Sequence, residues 1–416
     1  MTARRRKRAA RAALALALAA TMPGCGGSSS TSSPSSSSSA PAPASNTVTV
    51  TVDGGPVAAV NNANVLYAQV TVCVPGTTTC QTIGHVQVDT GSSGLRLVSS
   101  ALTLSLPRSS STGGQPLAEC LQYVDSSTWG TVRTADVKIG GETASSVPIQ
   151  VIGDPAAPKV PSACTSGGFP TNDTQSDLGA NGILGVGNYV EDCGPVCSTT
   201  GASNPGLYYE CPSASTCRVA AVGLSQQVAN PVAFFGADSN GVVITLPTVA
   251  QRAPTVSGTM TFGIGTQPNN ALGSAKVFGL DAKGYLGTQL NGASLPYSFL
   301  DTGSDFLFFP DPKIPQCKDY DQLFCPASSV AMSATITATN GTTGVVPFTV
   351  DNADTQFKGS DSAFATVCGS SLVAGSTLAG GPGSFDWGLP FFYGRTVFTS
   401  IDGRSTPAGS DAFVAY

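Results

Sequence analysis

Histidine is nearly missing from this 416-residue chain, which has only His85. Histidine-based nucleophilic triads and histidine-rich metal sites are excluded unless His85 itself takes part. His85 lies in an alternating strand pattern and reads as a half-exposed structural residue. Charged residues amount to only 11% of the chain, which leaves little material for long charged helices. Lysine and arginine number 20 against 25 acidic residues, a formal net charge of -5, with a pI near 4.8. No basic patch points to nucleic acid. The apolar run Ala12 to Ala20 is too short to span a bilayer as a permanent helix.

Glycine (48) and proline (29) are plentiful, and hydrophobic residues make up 41%. That composition predicts many short strands joined by tight turns around a large buried core, an all-β chain. The N-terminus reads as an export signal over residues 1–25. Arg4, Arg5, Arg6, Lys7, Arg8 and Arg11 form a basic start, followed by the apolar run and Met22-Pro23-Gly24-Cys25. That ending resembles a bacterial lipobox, with Cys25 as the lipidated residue. Residues 26–46 are almost entirely Gly, Ser, Thr, Pro and Ala and read as a disordered tether. The domain is therefore expected outside the cytoplasm, tied to the cell envelope through its N-terminal lipid. Gly26 rather than Asp after Cys25 favours the outer membrane.

The chain has 12 cysteines, and an exported protein permits disulfides. Cys73/Cys80, Cys193/Cys197, Cys211/Cys217 and Cys317/Cys325 are close enough to staple hairpins or loops. Cys120 and Cys164 can pair within the first half, leaving Cys368 over. Spacing alone does not fix this connectivity. None of the spacings makes a zinc site, so no metal or cofactor is expected.

One motif occurs twice. Asp89-Thr90-Gly91-Ser92 follows the apolar strand ending in Val86-Gln87-Val88, and Asp301-Thr302-Gly303-Ser304 follows Phe299-Leu300. Each copy is followed by another apolar strand. A single Asp-Thr-Gly-Ser reads as a β-turn. Two copies in matching contexts point to paired carboxyls, which at close range share one proton and can do acid and base work together. Gly91 and Gly303 would let the backbones approach. Thr90 and Thr302 would brace the two loops, and Ser92 and Ser304 would donate to the outer carboxylate oxygens.

At these residues the chain resembles the pepsin-like aspartic proteases, which have two similar β-lobes with one catalytic Asp from each. The resemblance extends over most of residues 60–403. Asn181 to Gly187 is similar to the segment that crosses behind the first catalytic loop. Asp386 to Arg395, through Asp402, is similar to its partner in the second lobe. Gly258 to Gly263 is similar to the strand that opens that lobe. Tyr123 stands where the family's flap tyrosine belongs, without the usual glycine-rich tip. Arg96 occupies a position usually held by tryptophan, and Asp305 one usually held by Ser or Thr.

The resemblance implies a two-lobed fold with a cleft, divided as a first lobe (47–254) and a second (255–416). It implies a monomeric aspartic endopeptidase without cofactor, acting on extended peptide or unfolded protein through Asp89 and Asp301. A catalytically inactive, lipid-anchored peptide-binding protein on the same scaffold is the alternative, resting on Arg96, Asp305 and the altered flap. Gln226 to Ala229 is expected in one of few short helices.

Overall fold

The structure is a computed structural model that describes residues 46–57, 62–165, 170–213, 215–320, 322–371 and 381–416. Cys25 and nearly all of the tether lie outside the described residues. The chain is all-β, with only two four-residue α-helices, Gln175–Leu178 and Ala353–Gln356, among the described residues. The segment expected as a helix near Gln226 forms a 3-10 turn over Leu224–Gln226. Gln227 is already extended, and Ala229 makes a bridge with Glu191. Gln227 to Ala229 thus serves strand-like pairing rather than a helical face.

Two lobes flank a cleft and meet in a shared sheet. The entry strand Thr47–Val52 pairs antiparallel along its full length with Val256–Phe262, which opens the second half. Val256–Phe262 pairs in turn with Gly241–Thr245, and that strand with Thr396–Ser400. Val50, Val52, Met260 and Phe262 are fully buried in this sheet. Alternating β-branched residues explain the entry strand, because Val packs well on a pleated, half-buried surface.

Above this platform each lobe repeats one device. In the first lobe Cys80–Asp89 rises to the cleft, turns at Thr90 to Ser92 and returns as Ser93–Val98. Gly182–Val186 runs between the two arms, parallel to the first and antiparallel to the second. In the second lobe Ala293–Leu300 rises to the cleft and Leu307–Phe308 returns. Asp386–Trp387 lies between them with the same parallel and antiparallel pairing. The segments expected to cross behind the loops therefore do so.

The filling strands are fixed by different packing. Gly182 and Gly185 lie so close to the arm Ser93–Val98 that a Cβ would come within 2.2 Å of the Arg96 carbonyl and 2.7 Å of Ser93. In the second lobe aromatic stacking holds the filler. Trp387 stacks on Phe385 at 3.8 Å and Phe385 on Phe309 at 5.0 Å. Each such pair adds about 1 kcal/mol beyond its buried area.

Among the described residues five disulfides form, Cys73–Cys80, Cys120–Cys164, Cys193–Cys197, Cys211–Cys217 and Cys317–Cys325, and Cys368 is left free and buried. These are pairs that the spacing allowed without fixing, and the bridges fit an oxidising compartment. No helix of the described residues is long and apolar enough to cross a membrane. The Cys120–Cys164 bridge closes a span of 44 residues and Cys193–Cys197 one of 4. Loop-closure entropy predicts a loss of about 4 kcal/mol for C120A/C164A and about 2 kcal/mol for C193A/C197A. Urea denaturation of the two variants checks this order, and equal losses would contradict it.

Candidate active site

The two Asp-Thr-Gly-Ser loops meet tip to tip at the floor of the cleft. Thr90 N–H donates to Thr302 Oγ1 at 3.1 Å, and Thr302 N–H donates to Thr90 Oγ1 at 3.0 Å. Each threonine hydroxyl then donates across to the strand before the opposite loop, Thr302 to the Val88 carbonyl at 2.8 Å and Thr90 to the Leu300 carbonyl at 3.4 Å. Gln87 Nε2 adds a further link to the Gly303 carbonyl at 3.0 Å. Thr90 and Thr302 are buried, so these bonds form away from competing water.

This lattice sets the carboxyls side by side. Gly91 N–H donates to Asp89 Oδ1 at 2.8 Å and reaches Asp301 Oδ1 at 3.0 Å. Gly303 N–H donates to Asp301 Oδ1 at 2.6 Å. The glycines are required by proximity: a Cβ on Gly91 would lie 2.6 Å from Asp301 Cγ, and one on Gly303 2.7 Å from Asp89 Cγ. Ser92 Oγ donates to the outer oxygen Asp89 Oδ2 at 2.5 Å, and Ser304 Oγ lies 3.0 Å from Asp301 Oδ2. Burial, then the Asp89 charge, pushes the Asp301 carboxyl well above the usual carboxylate range.

A third carboxyl is linked to this pair through Ser304. Ser304 Oγ also contacts Asp386 Oδ2 at 2.5 Å. A hydroxyl has one hydrogen, so it donates to only one of its two carboxyl neighbours. Asp386 is almost fully buried, and desolvation holds it well above its ordinary range. Ser304 Oγ is thus shared between two carboxyls, Asp301 and Asp386, that are both held above the usual carboxylate range. Asp305, the unusual acid after the second motif, is half-buried and raises Asp386 through its charge.

A cavity of about 340 Å³ opens on the dyad. Its walls include Tyr123 and Val124 from a hairpin turn, Tyr189 and Asp192 from the loop after the first filler strand, and Tyr285 from the second lobe. The hairpin joins Leu117–Gln122 to Ser127–Ile139, closed by Tyr123 N–H to the Ser126 carbonyl at 2.7 Å. The Tyr123 hydroxyl is buried without a hydrogen-bond partner. Burial pushes it up most, Arg96 pulls it down, and Asp89 adds to the rise, so it is within electrostatic reach of both the guanidinium and the dyad.

Arg96 is fully buried. It donates through Nη2 to Glu119 Oε1 at 2.8 Å and Asp192 Oδ2 at 2.6 Å. Through Nη1 it reaches the carbonyls of Ser93 at 2.8 Å and Gly94 at 3.3 Å. His85 sits apart from the cleft, 3.2 Å from Asp53 and edge-on to Tyr67.

The family model described as "Protein of unknown function (DUF3443)" matches residues 42–416. The chain belongs to that family. No curated protein matches. Among solved structures, the chain is similar to the aspartic proteinase from Irpex lacteus at 17% identity and a TM-score of 0.48. The match covers 89% of this chain and 96% of that one.

Asp89, Thr90, Gly91, Ser92, Asp301, Thr302, Gly303 and Ser304 are thus brought together, and Tyr123 lines the same cavity. Sequence reasoning missed Asp386, Glu119 and Asp192 as site residues. Asp386 carried a signal, an acid set inside the aromatic run Phe385-Asp386-Trp387. Glu119 and Asp192 carried none, because they meet Arg96 across 23 and 96 residues.

Asp192, Asp301 and Asp386 are all raised, chiefly by burial. Such groups bind more protons folded than unfolded. Stability should therefore fall as pH rises from about 4 towards 7, the window between the unfolded carboxyl value and the raised ones. Thermal melts across that window check this, and D386N should flatten part of the slope. A midpoint that climbs with pH would contradict it.

Proposed function

We propose that this protein is an aspartic-type endopeptidase that hydrolyses peptide bonds through a water activated by the Asp89/Asp301 dyad. The observation that carries the reading is the reciprocal Thr90–Thr302 lattice, which places two intact Asp-Thr-Gly-Ser loops in register across the lobes. A turn motif has no need of a second copy bonded to it in this way.

The chemistry follows from unequal surroundings. Two adjacent carboxyls hold one proton between them, and Asp301 is the member that favours it. Asp89 takes a proton from a water held between the carboxyls. The water oxygen bonds to the scissile carbonyl carbon, while Asp301 donates its proton to the carbonyl oxygen. The product is a neutral gem-diol. In the second step the proton on Asp89 passes to the amide nitrogen, the C–N bond breaks and one hydroxyl returns its proton to Asp301. No charge is released into the cleft at either step.

The substrate is an extended peptide or unfolded protein segment, laid across the dyad and hydrogen-bonded like a strand to the Tyr123 turn. The chain works as a monomer, exported and held to the envelope by lipid on Cys25, with the outer membrane favoured over the inner.

The test is cleavage of an unstructured protein from about pH 3 to 7, a window that brackets a coupled carboxyl pair, with and without a statine-type inhibitor. Inhibitor-sensitive cleavage is expected. D89N and D301N should each lower kcat by at least about 1,000-fold while remaining folded. Unchanged turnover in either variant would sink the mechanism. A folded protein that binds peptide and leaves it intact at every pH would establish the binding protein instead.

A further inference from the structure

Arg96 does more than fill a hole. Its guanidinium joins three segments that border the cleft. The carbonyls of Ser93 and Gly94 lie just after the Asp89 loop, Glu119 is on the strand that leads into the Tyr123 turn, and Asp192 is on the cavity wall. The Arg96 and Glu119 side chains are 0% exposed and that of Asp192 2%. Tyr208 closes the cluster from behind, donating to Asp192 Oδ1 at 2.6 Å and accepting from Val228 N–H at 2.7 Å.

The charges do not balance as drawn. One guanidinium faces two carboxyls, and all three side chains are almost wholly shielded from solvent. Glu119 and Asp192 both accept from Arg96 Nη2, which sets their carboxyls side by side. Two ionised carboxylates there would leave one negative charge without a cation, and one proton on the pair removes it. With that proton the cluster is neutral. Without it, an uncompensated charge is buried, which structures avoid by moving apart or admitting water.

We propose that Arg96, Glu119 and Asp192 form a clamp that positions the Tyr123 turn over the dyad, closed while the carboxyl pair keeps its shared proton and loosened when that proton leaves. The ionisable groups that act on the pair are Arg96 and Tyr208, and the Tyr123 phenol acts on Arg96 in turn. Burial first, and Glu119 second, keeps Asp192 protonated above the usual carboxylate range, so opening belongs to the rising-pH side. These are positioning residues, and only the effect of the clamp on turnover rests on the endopeptidase reading. On that reading the clamp confines tight substrate binding to acidic pH, independently of the ionisation of the dyad.

Hydrogen exchange on the full chain tests the clamp without any substrate. In the wild type, protection of the hairpin amides over 117–130 should fall about tenfold more than that of the second-lobe strands over 330–350 as pH rises from about 5 to 8. E119Q removes the need for the shared proton. Its amide oxygen can still accept from Arg96, and its nitrogen takes the place of Oε2, which has no partner. Its hairpin protection should stay level. Arg96→Lys offers too few donors for four acceptors and should lose protection at every pH, and if it fails to fold, E119Q alone decides. Where peptide is cleaved, wild-type KM should rise over the same interval and that of E119Q should not, with the kcat profile shared. Hairpin protection that is independent of pH in the wild type, or that falls equally in E119Q, overturns the proposal. The expected exchange pattern without any peptide cleavage supports the clamp and counts against the protease reading alone.

Discussion

Everything at the cleft depends on two threonines that exchange hydrogen bonds between the lobes. Thr90 and Thr302 each use a backbone N–H and a hydroxyl to bind the other's loop and the strand before it. Because these groups are buried, losing one partner leaves another polar group unsatisfied, at about 1–3 kcal/mol. The loops are therefore held as a pair rather than singly. Glycine at the third position of each motif is the consequence, since any side chain there would strike the opposite carboxyl.

A second theme is the burial of acid. Asp301, Asp386 and the Glu119–Asp192 pair all lie where water is scarce. Burial holds Asp301, Asp386 and Asp192 above the usual carboxylate range, with few cations to offset it. Arg96 is the only cation within the Glu119–Asp192 cluster, and Ser304 serves Asp386 and Asp301 in common. Such an interior is at ease in acid and under strain near neutrality. It also ties the stability of the fold to the same variable that governs a carboxyl dyad.

Much of this was legible in the sequence where the cause was local. Val86-Gln87-Val88-Asp89 and Phe299-Leu300-Asp301 announce strands that end at an acid, and turn chemistry does the rest. Close cysteine pairs form because a hairpin brings them together, as Cys73 opposite Cys80 illustrates. What was not legible depends on register between distant strands. Arg96 read as a departure weighing against activity, yet its meaning lies in Glu119 and Asp192, which the sheet alone brings to it. Asp386 belonged to a recognised segment, but only the geometry of Ser304 shows that it is linked to the dyad. The Gln226 segment misled because four residues, two polar and then two apolar, are too few to tell a helical turn from a bridge.

The most direct measurement is the titration of Asp301 itself, followed by carbon NMR of selectively labelled aspartate carboxyls in the wild type and in D89N. The account predicts that Asp301 keeps its proton after ordinary carboxylates have ionised, and that removing Asp89 lowers its midpoint without bringing it fully to the usual range, because burial remains. An Asp301 that titrates with the ordinary surface carboxylates, and is indifferent to Asp89, would contradict the central claim that the two loops form a single coupled site.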